Sequence, residues 1–201
     1  MDRLTADEDL AGVDWSGERI DGRHFLRCNF KGADLSETTI SSTTFEECDL
    51  SGARLNVATL SHSALLRCRL NGTNLFGATL DGCKLTGSEL IRCAVGALTV
   101  RGGDWSYVSL RRAALARLDL SGVRLVEADL TGADLTDTVL RGADLSRASF
   151  AGATLRGADL RGAELAGAET ADLDLTDVRL GVDQAVALAL SRGARVEPDR
   201  T

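Results

Sequence analysis

Aromatic residues, proline, histidine and long apolar runs are all scarce in this chain. Aromatics make up only 4% of its 201 residues, too few for the usual aromatic-anchored core. The single proline, Pro198, excludes a proline-rich linker. The two histidines, His24 and His62, lie far apart in sequence, and neither has a catalytic serine or cysteine arrangement around it. No apolar run approaches the ~20 residues of a membrane span. The opening residues MDRLTADEDL hold no apolar signal segment, so a cytoplasmic protein is expected, with no membrane partner. An excess of positive charge is also missing. Against 23 basic residues stand 30 acidic ones, a net charge of −7, which disfavours direct binding to a nucleic-acid backbone. Only residues 84–124 lean basic, with seven Lys or Arg against three Asp or Glu. Five cysteines, an odd count without a CxxC pair, argue against a disulfide framework or a zinc site. No metal, cofactor or small-molecule substrate is expected.

What the chain has is a beat of five. From Glu127 to Gly167 the sequence repeats one phrase: ADLTG, ADLTD, TVLRG, ADLSR, ASFAG, ATLRG, ADLRG, AELAG. A large apolar residue falls on every residue number divisible by five, here including Leu130, Leu135, Leu145 and Leu160. Of 35 such positions from 10 to 180, only Thr170 is not large and apolar. The phase survives without insertion or deletion. Two places before these large residues comes a mostly small or modest one, and all five cysteines (Cys28, Cys48, Cys68, Cys83 and Cys93) occupy that slot. They read as small buried hydrophobes. A period of five fits neither a helix nor a plain strand, so a repeat architecture is required.

If each five makes a short extended side and a corner, two residues point inward and three face water. Four sides then close a square coil of 20 residues, and coils stack through backbone hydrogen bonds. Residues 20 apart form columns: Cys28, Cys48 and Cys68 inside, Thr39, Thr59, Thr79 and Thr99 outside. Glycine often takes the corner place, where positive φ is needed. Residues 1–7 read as a polar lead-in and 8–182 as the solenoid, about nine coils. The beat is least regular over 96–115, where Leu98 and Val108 enlarge the small slot, Gly103 shrinks it and Trp105 replaces leucine. That reads as a distorted coil. Residues 183–201 turn to helical spacing, with Asp183 as cap, Val182, Val186, Ala189 and Leu190 on one face, Leu188 off that face, and Gly193 past the end. Such a helix caps the last coil and offers a two-fold dimer contact, for which Val182, Val186, Leu188, Ala189 and Leu190 are the candidates.

The charge is uneven. Residues 127–183 carry twelve acidic side chains against five arginines, a local net of −7 beside the proposed dimer helix. Asp129, Asp134, Asp144, Asp159, Glu164, Glu169 and Asp174 are the candidate partner-binding residues, an acidic patch that would draw in a basic protein surface. The opposing reading is that aspartate before leucine belongs to the repeat, since Asp34 and Asp49 fill the same slot elsewhere.

The A-[DN]-L-x-x pattern resembles the pentapeptide repeat family over residues 8 to about 182. The tail, LDLTDVRLGVDQAVALALSRGARVE, is similar to its mycobacterial fluoroquinolone-resistance members and, more distantly, to the Qnr members. The resemblance implies an all-β solenoid, a right-handed quadrilateral β-helix with a short C-terminal α-helix that dimerises. It also implies a non-enzymatic function: mimicry of duplex DNA, binding to DNA gyrase (a type II topoisomerase) and protection from quinolone-type poisons. Nine coils at the ~4.8 Å strand spacing give a rod about 42 Å long and ~17 Å wide, comparable to a DNA duplex in width. The alternative is a scaffolding solenoid with an unrelated protein partner.

Overall fold

The computed structural model describes residues 4–170, 173–191 and 193–197. Nine strands of three residues carry the first half of the stack: β1 (Leu4–Ala6), β2 (Arg19–Asp21), β3 (His24–Leu26), β4 (Thr39–Ser41), β5 (Thr44–Glu46), β6 (Thr59–Ser61), β7 (Ala64–Leu66), β8 (Thr79–Asp81) and β9 (Thr99–Arg101). They form two parallel sheets, β1-β3-β5-β7 and β2-β4-β6-β8-β9. Each pairing joins residues 20 apart, as in Thr39↔Thr59 and Thr79↔Thr99. Strands proper therefore cover about five turns. Single-residue bridges at the same spacing fill the other two sides and continue the stack to Asp159↔Arg179. The nine-coil expectation holds only when those bridges are counted as rungs.

Strands are short because a side of five spends two residues on its corner. Leu50 accepts the Ala53 N–H at 3.0 Å across one such corner, with Gly52 at φ 68° in the position that a type II turn holds left-handed. Arg92, Arg117 and Arg147 take the same conformation at φ 56°, 63° and 57°. A non-glycine residue there costs roughly 1–2 kcal/mol, offset by three ladder bonds per side. On one side those are Asp34 N to Val13 O (2.8 Å), Leu35 N to Arg54 O (2.7 Å) and Glu37 N to Asn56 O (2.9 Å).

The interior is filled by the large residues of the beat and the small slot between them, including Leu130, Leu135, Leu145 and Leu160. The cysteines do more than fill space. Cys48 Sγ donates to Phe25 O and Cys68 Sγ to Phe45 O, each at 3.3 Å. Thr73, Ser88 and Thr138 make the same bond to the carbonyl 23 residues earlier. Cysteine here is the small buried core residue that its slot suggests, and a hydroxyl-like rung tie as well. Burial pushes the Cys93 thiol up to about 11, so it stays protonated and able to donate.

Both ends differ from expectation. The ladder begins at β1, so residues 4–7 are not a loose lead-in: Leu4 pairs with His24. At the other end lies α1 (Val182–Ser191). Its cap is Gly181 rather than Asp183. The Gly181 carbonyl accepts the first helical N–H, from Ala185, at 3.0 Å, and Gln184 Oε1 reaches back to the Gly181 N–H at 2.7 Å. Gly193 closes the helix as expected, at φ 82°, with Gly193 N to Leu190 O and Ala194 N to Ala189 O in a Schellman pattern.

The irregular coil keeps phase but splits the ladder. The N–H groups of Val95, Ala97, Val100 and Gly102 do not bond to Ala114, Ala116, Asp119 and Ser121, although every neighbouring coil makes the equivalent bonds. The remaining two sides stay joined, as in Trp105 N to Arg124 O (2.7 Å) and Leu110 N to Asp129 O (2.8 Å). A cleft of about 610 Å³ opens between the parted sides. Its cause lies in one inward column. Leu98 and Leu118 occupy consecutive rungs where the rungs on either side hold Ala58, Ala78, Thr138 and Ala158. Two leucines stacked in an alanine-sized slot overfill it and prop the rungs apart. Gly103 permits the close approach beneath: a Cβ there would collide with the Cys83 carbonyl oxygen, and φ is 113°. Gly103→Ala is therefore expected to lower stability in urea denaturation by roughly 2–4 kcal/mol. Gly12→Ala, with φ 65° and open space around it, should cost only about 1 kcal/mol.

Candidate protein-interaction surface

Each acidic residue of the A-D-L phrase first serves its own corner. Asp134 Oδ1 accepts the Thr136 N–H at 3.0 Å, Asp144 that of Ser146 at 3.1 Å, and Asp174 that of Thr176 at 3.0 Å. Asp129 does the same with Thr131, and Glu164 with Ala166. This Asx-type bond explains why aspartate recurs in the slot along the whole chain, at Asp34 and Asp49 too. The hydroxyl and N–H of the residue two places on hold the Asp134 and Asp174 carboxyls below the usual carboxylate range. For Asp144 the Ser146 hydroxyl does so against a smaller opposing effect of burial. Burial raises Asp129, but the Thr131 hydroxyl and the Arg111 guanidinium outweigh it. The corner bond takes one carboxylate oxygen, Oδ1, in each of these aspartates.

The candidates do not form one patch. The 20-residue register distributes them over all four sides of the rod, named here by the core residues Phe25, Phe30, Leu35 and Ile40. Asp144 and Glu164 stack on the Phe25 side. Asp129 and Glu169 share the Phe30 side with Ser149 between them, whose hydroxyl donates to Glu169 at 2.7 Å. Asp134 lies on the Leu35 side, and Asp174 falls in the same column two periods later. Asp137 and Asp177, at the corner of that side, add to it; its single arginine in the acidic segment, Arg156, lies 3.7 Å from Asp177. Among the described residues of this segment the Leu35 side is consequently the most acidic. Elsewhere arginines neutralise part of the excess: Arg111 meets Asp129 at 2.9 Å and Arg147 meets Glu127 at 2.6 Å.

Asp159 stands apart. It is only 4% exposed, on the Ile40 side, clamped by Arg141 at 2.6 Å and Arg161 at 2.7 Å. With Arg179 in the next rung, this side of the acidic segment is net basic. Asp159 is therefore an internal anchor, which removes it from the outward acidic set. Nothing in the spacing of the sequence distinguishes it from Asp134 or Asp144; only the two arginines folding over it do.

The helix shows a similar division. Val182 is 81% and Leu190 53% exposed, while Val186 and Ala189 are half-buried. Leu188, by contrast, is buried, so it does not belong to the outward face. Gln184, which the apolar spacing passes over, fastens α1 to the stack: its Nε2 donates to Leu160 O (2.6 Å) and Ala163 O (2.7 Å). Among the described residues, no group of three or more His, Cys, Asp or Glu is placed to hold a metal ion. No helix among them is long and apolar enough to cross a membrane.

Models of pentapeptide repeats match residues 19–94, 106–142 and 143–181. The chain belongs to the pentapeptide repeat family. Its fold is that of QnrB1, a plasmid-mediated fluoroquinolone resistance protein. The trypsin-treated form of QnrB1 superposes with a TM-score of 0.86 at 24% identity, covering 96% of this chain and 97% of that one. Full-length QnrB1 gives 0.80 at 22% identity, over 94% and 99%. No curated protein sequence matches the chain.

Two outcomes follow from the charge geometry. Carboxyls depressed in the folded state stabilise it above their unfolded pKa of about 3.9. The melting temperature should therefore stay level from pH 7 to pH 5 and fall as pH drops below about 4, where Asp134, Asp144 and Asp174 take up protons. Asp159→Asn, which leaves two arginines without their shared carboxylate, should cost about 1–3 kcal/mol in urea denaturation.

Proposed function

We propose that this protein binds DNA gyrase as a homodimer, in the place of a duplex DNA segment, and so modulates supercoiling and shields the enzyme from quinolone-type poisons. The observation that carries this reading is the acidic excess of the terminal coils beside an exposed apolar helix face. Three of the four sides in that region are acidic, and Val182 and Leu190 stand outward next to them. Two copies joined through those residues would double the acidic belt around a common centre. A basic DNA-binding groove would be drawn to it, chiefly through faster association. The rod's width of ~17 Å fits such a groove, and the likeness to a fluoroquinolone resistance protein points the same way. The inward leucines and alanines pack the core of the rod, and the reading is accordingly one of binding rather than catalysis.

The rival reading, a scaffold with another protein partner, draws on one specific feature. Val57 and Phe76 are each 56% exposed on the Leu35 side, and an apolar patch has no role in DNA mimicry.

Supercoiling by purified gyrase with this protein titrated in, with and without a quinolone, separates the two. Inhibition of supercoiling and rescue from drug-induced cleavage are expected. Neutralising Asp134 and Asp174 together should weaken inhibition roughly 3–10-fold at low salt, whereas Asp159→Asn should leave it unchanged. Absence of any effect from folded, dimeric protein would favour the scaffold. Val182→Asp combined with Leu190→Arg should convert the dimer to a monomer on size exclusion, and inhibition should fall with it.

A further inference from the structure

The cleft in the ladder is a second feature for which DNA mimicry has no use. Its two walls are consecutive rungs that have come apart in register. The N-terminal wall presents the free N–H groups of Val95, Ala97, Val100 and Gly102. The facing wall presents the carbonyls of Ala114, Ala116, Asp119 and Ser121, which accept no ladder bond there. Rows of donors and acceptors at the spacing of a parallel strand are the recognition surface of strand addition. Here both faces of an inserted strand could be satisfied, rather than the one face that an ordinary sheet edge offers.

We propose that this cleft binds an extended segment of about five residues from a partner protein, inserted as an additional parallel rung. Four features define the segment. At about 610 Å³ the cleft is in the range of ligand sites, ~300–1,000 Å³, and one side of the rod is about five extended residues long, ~17 Å. Its inner lining is apolar, with Val95, Leu98 and Leu118, so alternate side chains of the segment are small or apolar. The rim carries Arg101 and Arg117 against one carboxylate, Asp119, and neither arginine makes an ion pair within 4 Å among the described residues, so an outward carboxylate is favoured. Phe76, exposed and packed over Gly96 at the rim, adds an apolar contact beside the entrance. This inference is independent of gyrase binding, because the cleft lies in the basic middle of the rod and the acidic belt lies beyond it.

The test uses the full chain and a stand-in of the stated chemistry, the acetylated and amidated peptide ADLTGADLTD, which copies Ala128–Asp137. In the free protein, hydrogen exchange followed by NMR should be roughly 100-fold faster at Val95, Ala97, Val100 and Gly102 than at Leu75, Gly77, Leu80 and Gly82, one coil earlier. Equal exchange would mean a closed cleft and overturn the proposal. Titration with the peptide should shift those amides saturably and slow their exchange, while a peptide N-methylated at alternate residues should not bind. Binding of both peptides alike, or of neither at millimolar concentration, would also overturn it. Val100→Pro removes a rim donor that makes no bond in the free protein and should weaken binding about 2–10-fold; unchanged affinity counts against the proposal. Leu98→Ala with Leu118→Ala should let the rungs close, giving Val100 the protection of Leu80 and abolishing binding. Persistent binding by that closed variant would refute strand insertion.

Discussion

A backbone hydrogen bond from an inward large residue to the carbonyl nineteen residues ahead, such as Leu35 N to Arg54 O at 2.7 Å, recurs along most of the stack and sets the terms for the molecule. It requires every coil to hold the same number of residues, every corner to turn by the same angle and every inward slot to keep its volume. Left-handed corners at residues as unsuited to them as Arg117 and Arg147 persist because the ladder over-determines them. Side-chain ties from Cys48, Cys68, Thr73 and Ser88 reinforce the same direction. Stability is accordingly a sum of nearest-neighbour rung contacts rather than the property of one central cluster.

The same constraint explains the opening in the middle of the stack. An inward slot that suits alanine tolerates one larger residue if its neighbours are small. Leu98 and Leu118 on successive rungs exceed that tolerance, and the ladder opens on the two sides nearest them while Trp105 and Leu110 keep the other two closed. The opening turns an interior surface into an accessible one without breaking the five-residue phase.

Electrostatics follow from the corners as well. Aspartate enters the repeat as a cap for the turn that follows, and only afterwards as a source of surface charge. Because successive fives face successive sides, a run of acidic residues in sequence becomes a belt around the rod rather than a patch. Arginines then edit the belt, leaving the Leu35 side acidic and making the Ile40 side basic around the buried Asp159. At the end of the stack, Gln184 fixes α1 to the carbonyls of Leu160 and Ala163, which leaves Val182 and Leu190 outward.

Much of this was legible without coordinates. The unbroken beat determined the solenoid, the inward leucines, the columns of Cys28, Cys48 and Cys68 and of Thr39, Thr59 and Thr79, and the end of the helix at Gly193. Those features are local or strictly periodic, so one sequence suffices to phase them. Tertiary structure alone decided the rest, because it depended on which residues meet across rungs. It moved the helix cap from Asp183 to Gly181, extended the ladder back to Leu4 and turned Leu188 inward. It spread the acidic candidates over four sides and buried Asp159 beneath Arg141 and Arg161. The single-letter change from alanine to leucine at 98 and 118 left the period intact, and its consequence was steric: two side chains too large for adjacent slots, and a ladder parted between them.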